Sequence, residues 1–193
     1  YIKMSKNIFC IRHGLALHNV LYWKMGNIVY NKYQDTPLLP EGYRQAKKCR
    51  RTWEKIDDIE LILVSPLSRT LETMRTIFKH KNVPIIALDE LMEYPHGNEL
   101  CNKRKRISQL ELVYPNIDFS NIKCDDDVTY DEFEETITQL QERQEVVKKF
   151  IRKRTENNIA IVSHSSWIGK FLFDKIEDEK NELQHCFPFH SKL

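Results

Sequence analysis

Residues Asn7–Gly14 read NIFCIRHG, an apolar run that ends in Arg12, His13 and Gly14. The run Asn7–Arg12 has the length and apolar character of a buried strand. The residues after Gly14, LALHNVLYW, have the periodicity of a helix. A buried strand that leads directly into a helix is typical of α/β proteins. The junction also carries an arginine and a histidine, so the segment that indicates the fold also contains candidate functional residues.

Two later segments repeat this arrangement. The predicted strand Glu60–Val64 precedes a Ser-Pro-Leu-Ser turn and Arg69, and the predicted strand Ile159–Val162 precedes Ser163 and His164. Each strand is again followed by a segment with helical periodicity. Polar groups therefore recur at the carboxyl ends of three predicted strands.

The rest of the chain is predicted from periodicity and turn residues. A fourth strand is expected at Val83–Leu88, and helices are expected at Pro40 to about Ile56, Leu67–Lys79, Lys103–Val113, Tyr130 to about Arg154 and Ser165–Ile176. Loops are expected at Met25–Leu39, Asp89–Asn102, Asp118–Val128 and in the tail after Asn181. Strands that alternate with helices predict an α/β fold with a mainly parallel central sheet and helices on both faces.

Length and composition limit the possible classes of protein. The chain has 193 residues, which suits a single domain over residues 1–193, and 41% hydrophobic with 30% charged residues, which suits a soluble protein. A net charge of +2 gives no indication of nucleic acid or membrane as a partner. Five cysteines without a Cys-x-x-Cys pair favour reduced thiols and a cytoplasmic location. No signal-peptide core is visible in Tyr1–Asn7, and the oligomeric state stays open.

The polar residues at the strand ends point to an anion site. Ligands of open α/β sheets bind beyond the carboxyl ends of the strands, so Arg12, His13, Arg69 and His164 are expected to converge on one crevice. Arginine offers paired donors to phosphate, and helix N-termini favour anions. Taken singly, each histidine could equally be a cap or a packed core residue, and each arginine a surface ion pair.

These residues carry a family resemblance. Arg12-His13-Gly14 after an apolar strand, Ser65-Pro66-x-x-Arg69, and Ser163-His164 after another strand resemble the histidine phosphatase superfamily in its phosphoglycerate mutase-like branch. The stretch from Lys103-Arg104 to Tyr114-Pro115-Asn116-Ile117-Asp118-Phe119-Ser120 is similar to eukaryotic phosphoglycerate mutase-like proteins. The resemblance covers most of the chain and implies phosphoryl transfer. No metal or other cofactor is expected, because phosphoryl transfer depends mostly on positioning and charge stabilisation, which a basic pocket can supply.

The resemblance also implies roles for the site residues. His13 would attack phosphorus and carry a phosphohistidine, while Arg12, Arg69 and His164 would hold the phosphoryl oxygens. Asn19 matches a family position that often contacts phosphate, although it could also be an exposed polar residue on a helix. Nearby arginines lower the pKa of a histidine, which keeps the attacking imidazole neutral.

The leaving oxygen needs a proton from a general acid. Leu91-Met92-Glu93 with Gly97 and Glu99 resembles the pattern Leu-x-Glu-x-x-x-Gly-x-Glu of the branch, which implies that Glu93 is the acid. A shift of about one residue in the match would instead select a neighbouring carboxylate, so three alternatives stay open: Asp89, Glu90 and Glu99.

Other polar segments give weaker indications of function. The run from Lys103 to Arg106 could be a localisation or nucleic-acid patch but is better explained as a helix start, with Lys103 or Arg104 reading a second anionic group of the substrate. His185-Cys186 resembles a tail position near the family site, and no metal is expected there.

The sequence therefore predicts a phosphomonoester hydrolase that acts on a phosphorylated small molecule through a phosphohistidine. Two alternatives remain at this point. One is a phosphotransferase of the phosphoglycerate mutase type, and the other is an inactive protein that binds a phosphorylated ligand.

Overall fold

The computed structural model describes residues 5–130, 133–176 and 182–193. Five strands form one sheet in this part of the chain: Asn7–Arg12 (β1), Leu61–Val64 (β2), Ile85–Ala87 (β3), Asn158–Ser163 (β4) and Pro188–Lys192 (β5). The helices are Leu17–Met25 (α1), Pro40–Thr52 (α2), Ser68–Ile77 (α3), Ile107–Val113 (α4), Ile137–Arg152 (α5) and Ser165–Phe173 (α6).

The strand order is β3-β2-β4-β1-β5. The first four strands of this order run parallel, which confirms the predicted mainly parallel sheet. The loop predicted for the tail after Asn181 is wrong in its last part, because β5 pairs antiparallel with β1. The tail thereby covers an edge of β1 whose backbone groups would otherwise lack partners. Asn181 itself lies outside the described residues.

Apolar side chains cover both faces of the sheet. Successive residues of a strand point to opposite faces. Phe9 and Ile11 accordingly pack with apolar residues of α2, α3 and α4 on one face. Ile8 and Cys10 pack with apolar residues of α5 and α6 on the other face. Helices therefore lie on both faces, as predicted. None of the described helices is long and apolar enough to span a membrane.

Two predicted helices begin later than expected. The helix predicted from Tyr130 begins at Ile137, where the Thr136 hydroxyl accepts a hydrogen bond from the Gln139 N–H and caps the first turn. Residues 131–132 of that prediction lie outside the described part. The helix predicted from Lys103 begins at Ile107, where Asp125 of the acidic loop binds the first free N–H groups.

Two other boundaries differ less. The helix predicted to reach Ile56 ends at Thr52 and continues as a 3₁₀ helix at Glu54–Asp58. The loop predicted at Met25–Leu39 contains a 3₁₀ helix at Gly26–Asn31. Neither difference moves the strand ends that were expected to form the site.

Pairing within the sheet brings those strand ends level. Arg12 of β1 pairs with Ser163 of β4, and Val64 of β2 pairs with Val162 of β4. The chain leaves β1 through Gly14, which lies so close to α2 that an added Cβ would be 2.6 Å from the carbonyl oxygen of Gly42. Only glycine allows this approach, so the turn after His13 is fixed by the packing of α2.

Candidate active site

His13 lies at the carboxyl end of β1 with 1% of its surface exposed. Its Nδ1 is 2.8 Å from the carbonyl oxygen of Gly14. Because a carbonyl can only accept, Nδ1 carries the proton and Nε2 keeps its lone pair. Burial lowers the pKa of His13 well below the ordinary value, and Arg69, His164 and Arg12 lower it further. A neutral imidazole with a free nitrogen is a competent nucleophile.

His164 follows β4 and lies beside His13, with the two ring centroids 5.2 Å apart. Its Nε2 is 2.9 Å from the hydroxyl oxygen of Ser65, the residue after β2. When that hydroxyl donates, Nδ1 of His164 carries the ring proton, and this atom is buried without a partner. The pKa of His164 is also lowered, first by burial and then by Arg69.

Two buried arginines complete this group. Arg69 lies in the first turn of α3, where its Nη1 donates to the Cys101 carbonyl at 2.9 Å and its Nη2 to Asn102 Oδ1 at 2.7 Å. Arg12 ends β1, where its Nη1 donates to the Leu183 carbonyl at 2.7 Å and its Nη2 is 2.6 Å from Glu182 Oε2. The Nε of each arginine has no partner.

The unpartnered atoms coincide with the predicted phosphate contacts. Three buried side-chain nitrogen or oxygen atoms lack a hydrogen bond in the described part of the chain, and they are Arg12 Nε, Arg69 Nε and His164 Nδ1. Leaving a buried donor unpaired costs about 1–3 kcal/mol, and more for a charged group. The three donors belong to residues whose charges act on His13, and an anion bound there can satisfy them.

Glu93 lies in the loop after β3 and lines a cavity of about 300 Å³ together with Arg69. Its Oε1 accepts hydrogen bonds from the Tyr94 N–H at 2.8 Å and the Trp167 N–H at 3.3 Å. Burial raises the pKa of Glu93, although these hydrogen bonds and the two arginines oppose the rise. A raised pKa keeps more of the protonated form available for donation.

The three alternative carboxylates lie in different surroundings. Asp89 is bound to Arg104, with 2.9 Å between its Oδ1 and the arginine Nε. The side chains of Asp89 and Glu90 do not line the 300 Å³ cavity, whereas Glu99 does, and its Oε2 accepts from Asn102 Nδ2 at 2.8 Å. Glu93 and Glu99 are therefore the candidates that face the cavity.

The predicted substrate-binding residues are directed elsewhere. Asn19 Oδ1 accepts a hydrogen bond from the Ala16 N–H at 3.0 Å, which holds the start of α1. The ammonium group of Lys103 lies 4.4 Å from the centre of the Tyr130 ring. The guanidinium of Arg104 is buried and bound by Asp89 and by backbone carbonyls of the acidic loop. None of these three lines the cavity beside Glu93, and neither do Arg12, His13 and His164, which lie next to it.

A family model for the histidine phosphatase superfamily (branch 1) matches residues 8–187. The chain belongs to the histidine phosphatase superfamily. A probable phosphatase of Schizosaccharomyces pombe is 32% identical, with 97% of this chain and 86% of that protein covered. A phosphoglycerate mutase-like protein of Arabidopsis thaliana is 28% identical, with 94% and 80% covered.

The fold is also similar to solved histidine phosphatase structures. The α-ribazole phosphatase of Shigella flexneri aligns with a TM-score of 0.56 and 23% identity, over 84% of this chain and 76% of that one. This similarity concerns the fold. The family model and the Arabidopsis relative support the phosphoglycerate mutase-like branch that the sequence motifs indicate.

Several residues of this histidine phosphatase site were not predicted from sequence. His18 lines the cavity, and its ring centroid is 5.8 Å from that of His13. Glu182 provides the carboxylate on Arg12, and Asn102 holds Arg69. The sequence carries little signal for Glu182 and Asn102, because each acts through a contact with an arginine far away in sequence. The one available signal was His18 itself, since it is five residues from His13 in the same segment.

His185, by contrast, lies near the site as the family resemblance implied. Its Nδ1 donates to the His13 carbonyl oxygen at 2.6 Å, and burial lowers its pKa to about 4. Buried Asp35 holds Ser68, the residue before Arg69, because its carboxylate accepts hydrogen bonds from the N–H and the hydroxyl of Ser68 at 2.7 and 2.6 Å. Both contacts fix backbone directly beside a site residue. Within the described residues, no group of three or more histidines, cysteines or carboxylates is arranged to hold a metal ion.

Proposed function

We propose that this protein is a metal-independent phosphomonoester hydrolase that acts through a phosphohistidine at His13. The observation that supports this most directly is the set of three unpartnered donors, on Arg12, Arg69 and His164, around a histidine whose attacking nitrogen is deprotonated. Two arginines can offset the charge of a phosphoryl group, and phosphoryl transfer depends mainly on position and charge.

The reaction has two steps. In the first, His13 Nε2 forms a bond to phosphorus, the bond from phosphorus to the leaving oxygen breaks, and Glu93 gives its proton to that oxygen. In the second, water forms a bond to phosphorus, the bond to Nε2 breaks, and the Glu93 carboxylate takes the proton from water. Arg12, Arg69 and His164 hold the phosphoryl oxygens throughout.

Hydrolysis is favoured over a mutase reaction by the charges around the cavity. A mutase must retain a dephosphorylated intermediate that carries further anionic groups, and must keep water out. Among the described residues that line the cavity, the carboxylates are Glu93, Glu99 and Glu182, and the only cation is Arg69. Glu182 is paired with Arg12, and Glu93 is protonated in its proposed role as the acid, so Glu99 is the carboxylate that would oppose a second anionic group on the substrate. We therefore propose monoesters of uncharged alcohols as substrates.

The remaining aspects of the proposal concern location and partners. All five cysteines are free, which suits a reducing compartment, and we propose the cytoplasm. The partner is a phosphorylated small molecule, since the net charge of +2 offers no strong field for nucleic acid.

The decisive experiment compares wild type with His13→Ala. We expect wild type to release orthophosphate from p-nitrophenyl phosphate and to form a base-stable, acid-labile phosphoenzyme, and the variant to do neither. His80→Ala changes an exposed histidine and serves as the control. Substantial turnover by His13→Ala would refute the nucleophile. A wild type that binds phosphate without turnover would support the inactive binding protein instead.

Two further arms separate the remaining alternatives. Exhaustive chelation is expected to leave the rate unchanged, and a loss that magnesium or zinc restores would contradict metal independence. With 3-phosphoglycerate we expect little formation of 2-phosphoglycerate. Rapid interconversion without release of orthophosphate would indicate a mutase and would leave the chemistry of His13 intact.

A further inference from the structure

The loop that carries Glu93 is held by side chains from other elements. Its backbone is irregular after the 3₁₀ turn Asp89–Leu91, so its carbonyl groups have no partners along a regular helix or strand. Four consecutive carbonyls, those of residues 90 to 93, accept hydrogen bonds from side chains of α5, β4 and α6 instead. Trp167 contributes its indole N–H to the first of them at 2.8 Å, and Ser163 its hydroxyl to the second at 2.7 Å.

Arg143 of α5 makes most of these contacts. Its Nη1 donates to the Glu90 carbonyl at 2.9 Å and the Met92 carbonyl at 2.6 Å, and its Nη2 donates to the Glu93 carbonyl at 3.1 Å. The remaining two N–H groups, on Nε and Nη2, donate to the Glu135 carboxylate at 2.5 and 2.9 Å. All five N–H groups of the guanidinium are therefore used, in a planar pattern that no other side chain can offer.

Glu135 extends the same arrangement to the far side of the loop. Its Oε2 accepts from the His96 N–H at 2.9 Å, and its own N–H donates to the His96 carbonyl at 2.9 Å. Arg143 and Glu135 thus hold the loop on both sides of Glu93. The Glu93 carboxyl then meets the N–H groups of Tyr94 and Trp167 from a backbone that these two residues have fixed.

We propose that Arg143 is a positioning residue for the general acid: it holds the loop so that the Glu93 carboxyl faces the leaving oxygen. This rests on the proposed function, because it takes Glu93 as the proton donor. Arg143 does not line the cavity. Its hydrogen bonds to the loop go to backbone carbonyls, and its charge also contributes to the lowered pKa of His164. A shift of about 1 Å in a catalytic group can cost about 100-fold in rate.

A purely structural role would have a different signature. Lost packing or lost stability lowers the amount of folded protein, and so lowers the rates on all substrates equally. A misplaced proton donor lowers the rate only where the leaving group needs a proton. An alkoxide needs one in the transition state, and p-nitrophenolate hardly does.

The experiment measures kcat/KM of folded protein for p-nitrophenyl phosphate and for n-butyl phosphate. For Arg143→Met we expect a loss of about 10- to 100-fold on n-butyl phosphate and less than about threefold on p-nitrophenyl phosphate. Arg143→Lys, which keeps the charge but cannot bridge three carbonyls, should show the same selective loss and takes the place of Arg143→Met if that variant does not fold. Arg152→Met, an exposed arginine of the same helix, is the control and should match wild type.

The double variant Arg143→Met with Glu93→Gln completes the design. If Arg143 acts through Glu93, its substitution adds no further selective loss once the carboxyl is gone. Equal losses on both substrates, or a full additional loss in the double variant, would overturn the positioning role. If Glu93→Gln alone shows no selectivity for the leaving group while Arg143→Met does, the assignment of Glu93 as the acid fails, and the positioning role fails with it.

Discussion

Arg69 and Arg104 are both buried arginines, with 1% and 2% of their surfaces exposed, yet their surroundings differ in kind. Arg104 gives its N–H groups to the Asp89 carboxylate and to carbonyls of the acidic loop, so none of its nitrogens is left without a partner. Among the described residues, Arg69 donates to Cys101 and Asn102, and its Nε has no partner there.

The difference separates a structural arginine from an arginine available to a ligand. Both residues lie next to turns, and both looked from sequence like groups that could bind an anion. What distinguishes them is the number of donors left after the protein's own acceptors are counted. A buried donor without a partner is costly, so a protein that retains one at a site can recover that cost only when a ligand binds.

The sharpest test of this comparison substitutes each arginine with methionine. Arg69→Met should lower kcat/KM for p-nitrophenyl phosphate by about 100- to 1000-fold, because it removes a donor to the charge of the transition state. Its unfolding free energy should fall less than that of Arg104→Met, because only the Cys101 carbonyl and Asn102 Oδ1 lose their donor. Arg104→Met should instead lower the unfolding free energy by about 3 kcal/mol, because the Asp89 carboxylate and the loop carbonyls lose their partner.

Urea denaturation and initial rates, each corrected for the folded fraction, measure the two effects. Arg106→Met, which removes an exposed partner of Asp126, is the control for both. A large loss of activity in folded Arg104→Met, with Arg69→Met active, would reverse the assignment of the two arginines.

Orthophosphate provides a second, smaller test of the same difference. At a concentration about 100 times its dissociation constant, a ligand that binds only the folded protein raises the unfolding free energy by about 2.7 kcal/mol. We expect this effect in wild type and its near loss in Arg69→Met at the same phosphate concentration. Phosphate also stabilises proteins generally by exclusion from their surfaces, so Arg106→Met gives the baseline. Equal stabilisation of Arg69→Met and Arg106→Met would argue against phosphate binding at Arg69.

The sequence was sufficient for the sheet and for the strand-end residues, because both depend on local patterns. Four apolar runs with helices between them predict the parallel strands. Parallel strands that share a sheet must bring their carboxyl ends together, so convergence of Arg12, His13 and His164 followed from topology. The edge strand β5 was missed because PFHSK has neither the apolar run nor the clear alternation of a buried strand.

The contacts between distant side chains could not be predicted in this way. The basic run predicts that Lys103 or Arg104 contacts a second anionic group of the substrate, whereas in the structure the acidic loop about 20 residues later binds the guanidinium of Arg104. The ion pair between Glu182 and Arg12 could not be predicted for the same reason, because 170 residues separate the two positions in sequence. Complementary charges at such distances leave no periodic trace in a single sequence.

The last prediction uses the pH dependence of stability, which should be dominated by the His13 side of the molecule. His13, His18 and His164 are buried, and their pKa values lie well below the ordinary value of 6.5. Below about pH 6.5 the unfolded chain binds protons at these histidines and the folded chain does not. Stability must therefore fall as the pH falls from 7 to 5, by up to about 1.4 kcal/mol per pH unit for each such histidine.

The acidic loop around Arg104 should respond in a separate range. The pKa of Asp127 is lowered to about 2, so its contribution is complete above its unfolded value of 3.8 and is lost only as the pH falls below that value. The raised pKa of Glu93 makes the folded protein more stable as the pH falls, which partly offsets the effect of the histidines. The decisive measurement is therefore the difference between a variant and wild type.

His18→Asn should reduce the change in unfolding free energy between pH 7 and 5 by the contribution of one histidine. His80→Asn, at an exposed histidine, should leave that change as in wild type. Urea denaturation in phosphate-free buffer at pH 5, 6 and 7 measures this. If the unfolding free energy of His18→Asn depends on pH as it does in wild type, His18 takes up its proton in the folded state. The interior around His13 would then tolerate positive charge, and the argument for a neutral nucleophile there would be weaker.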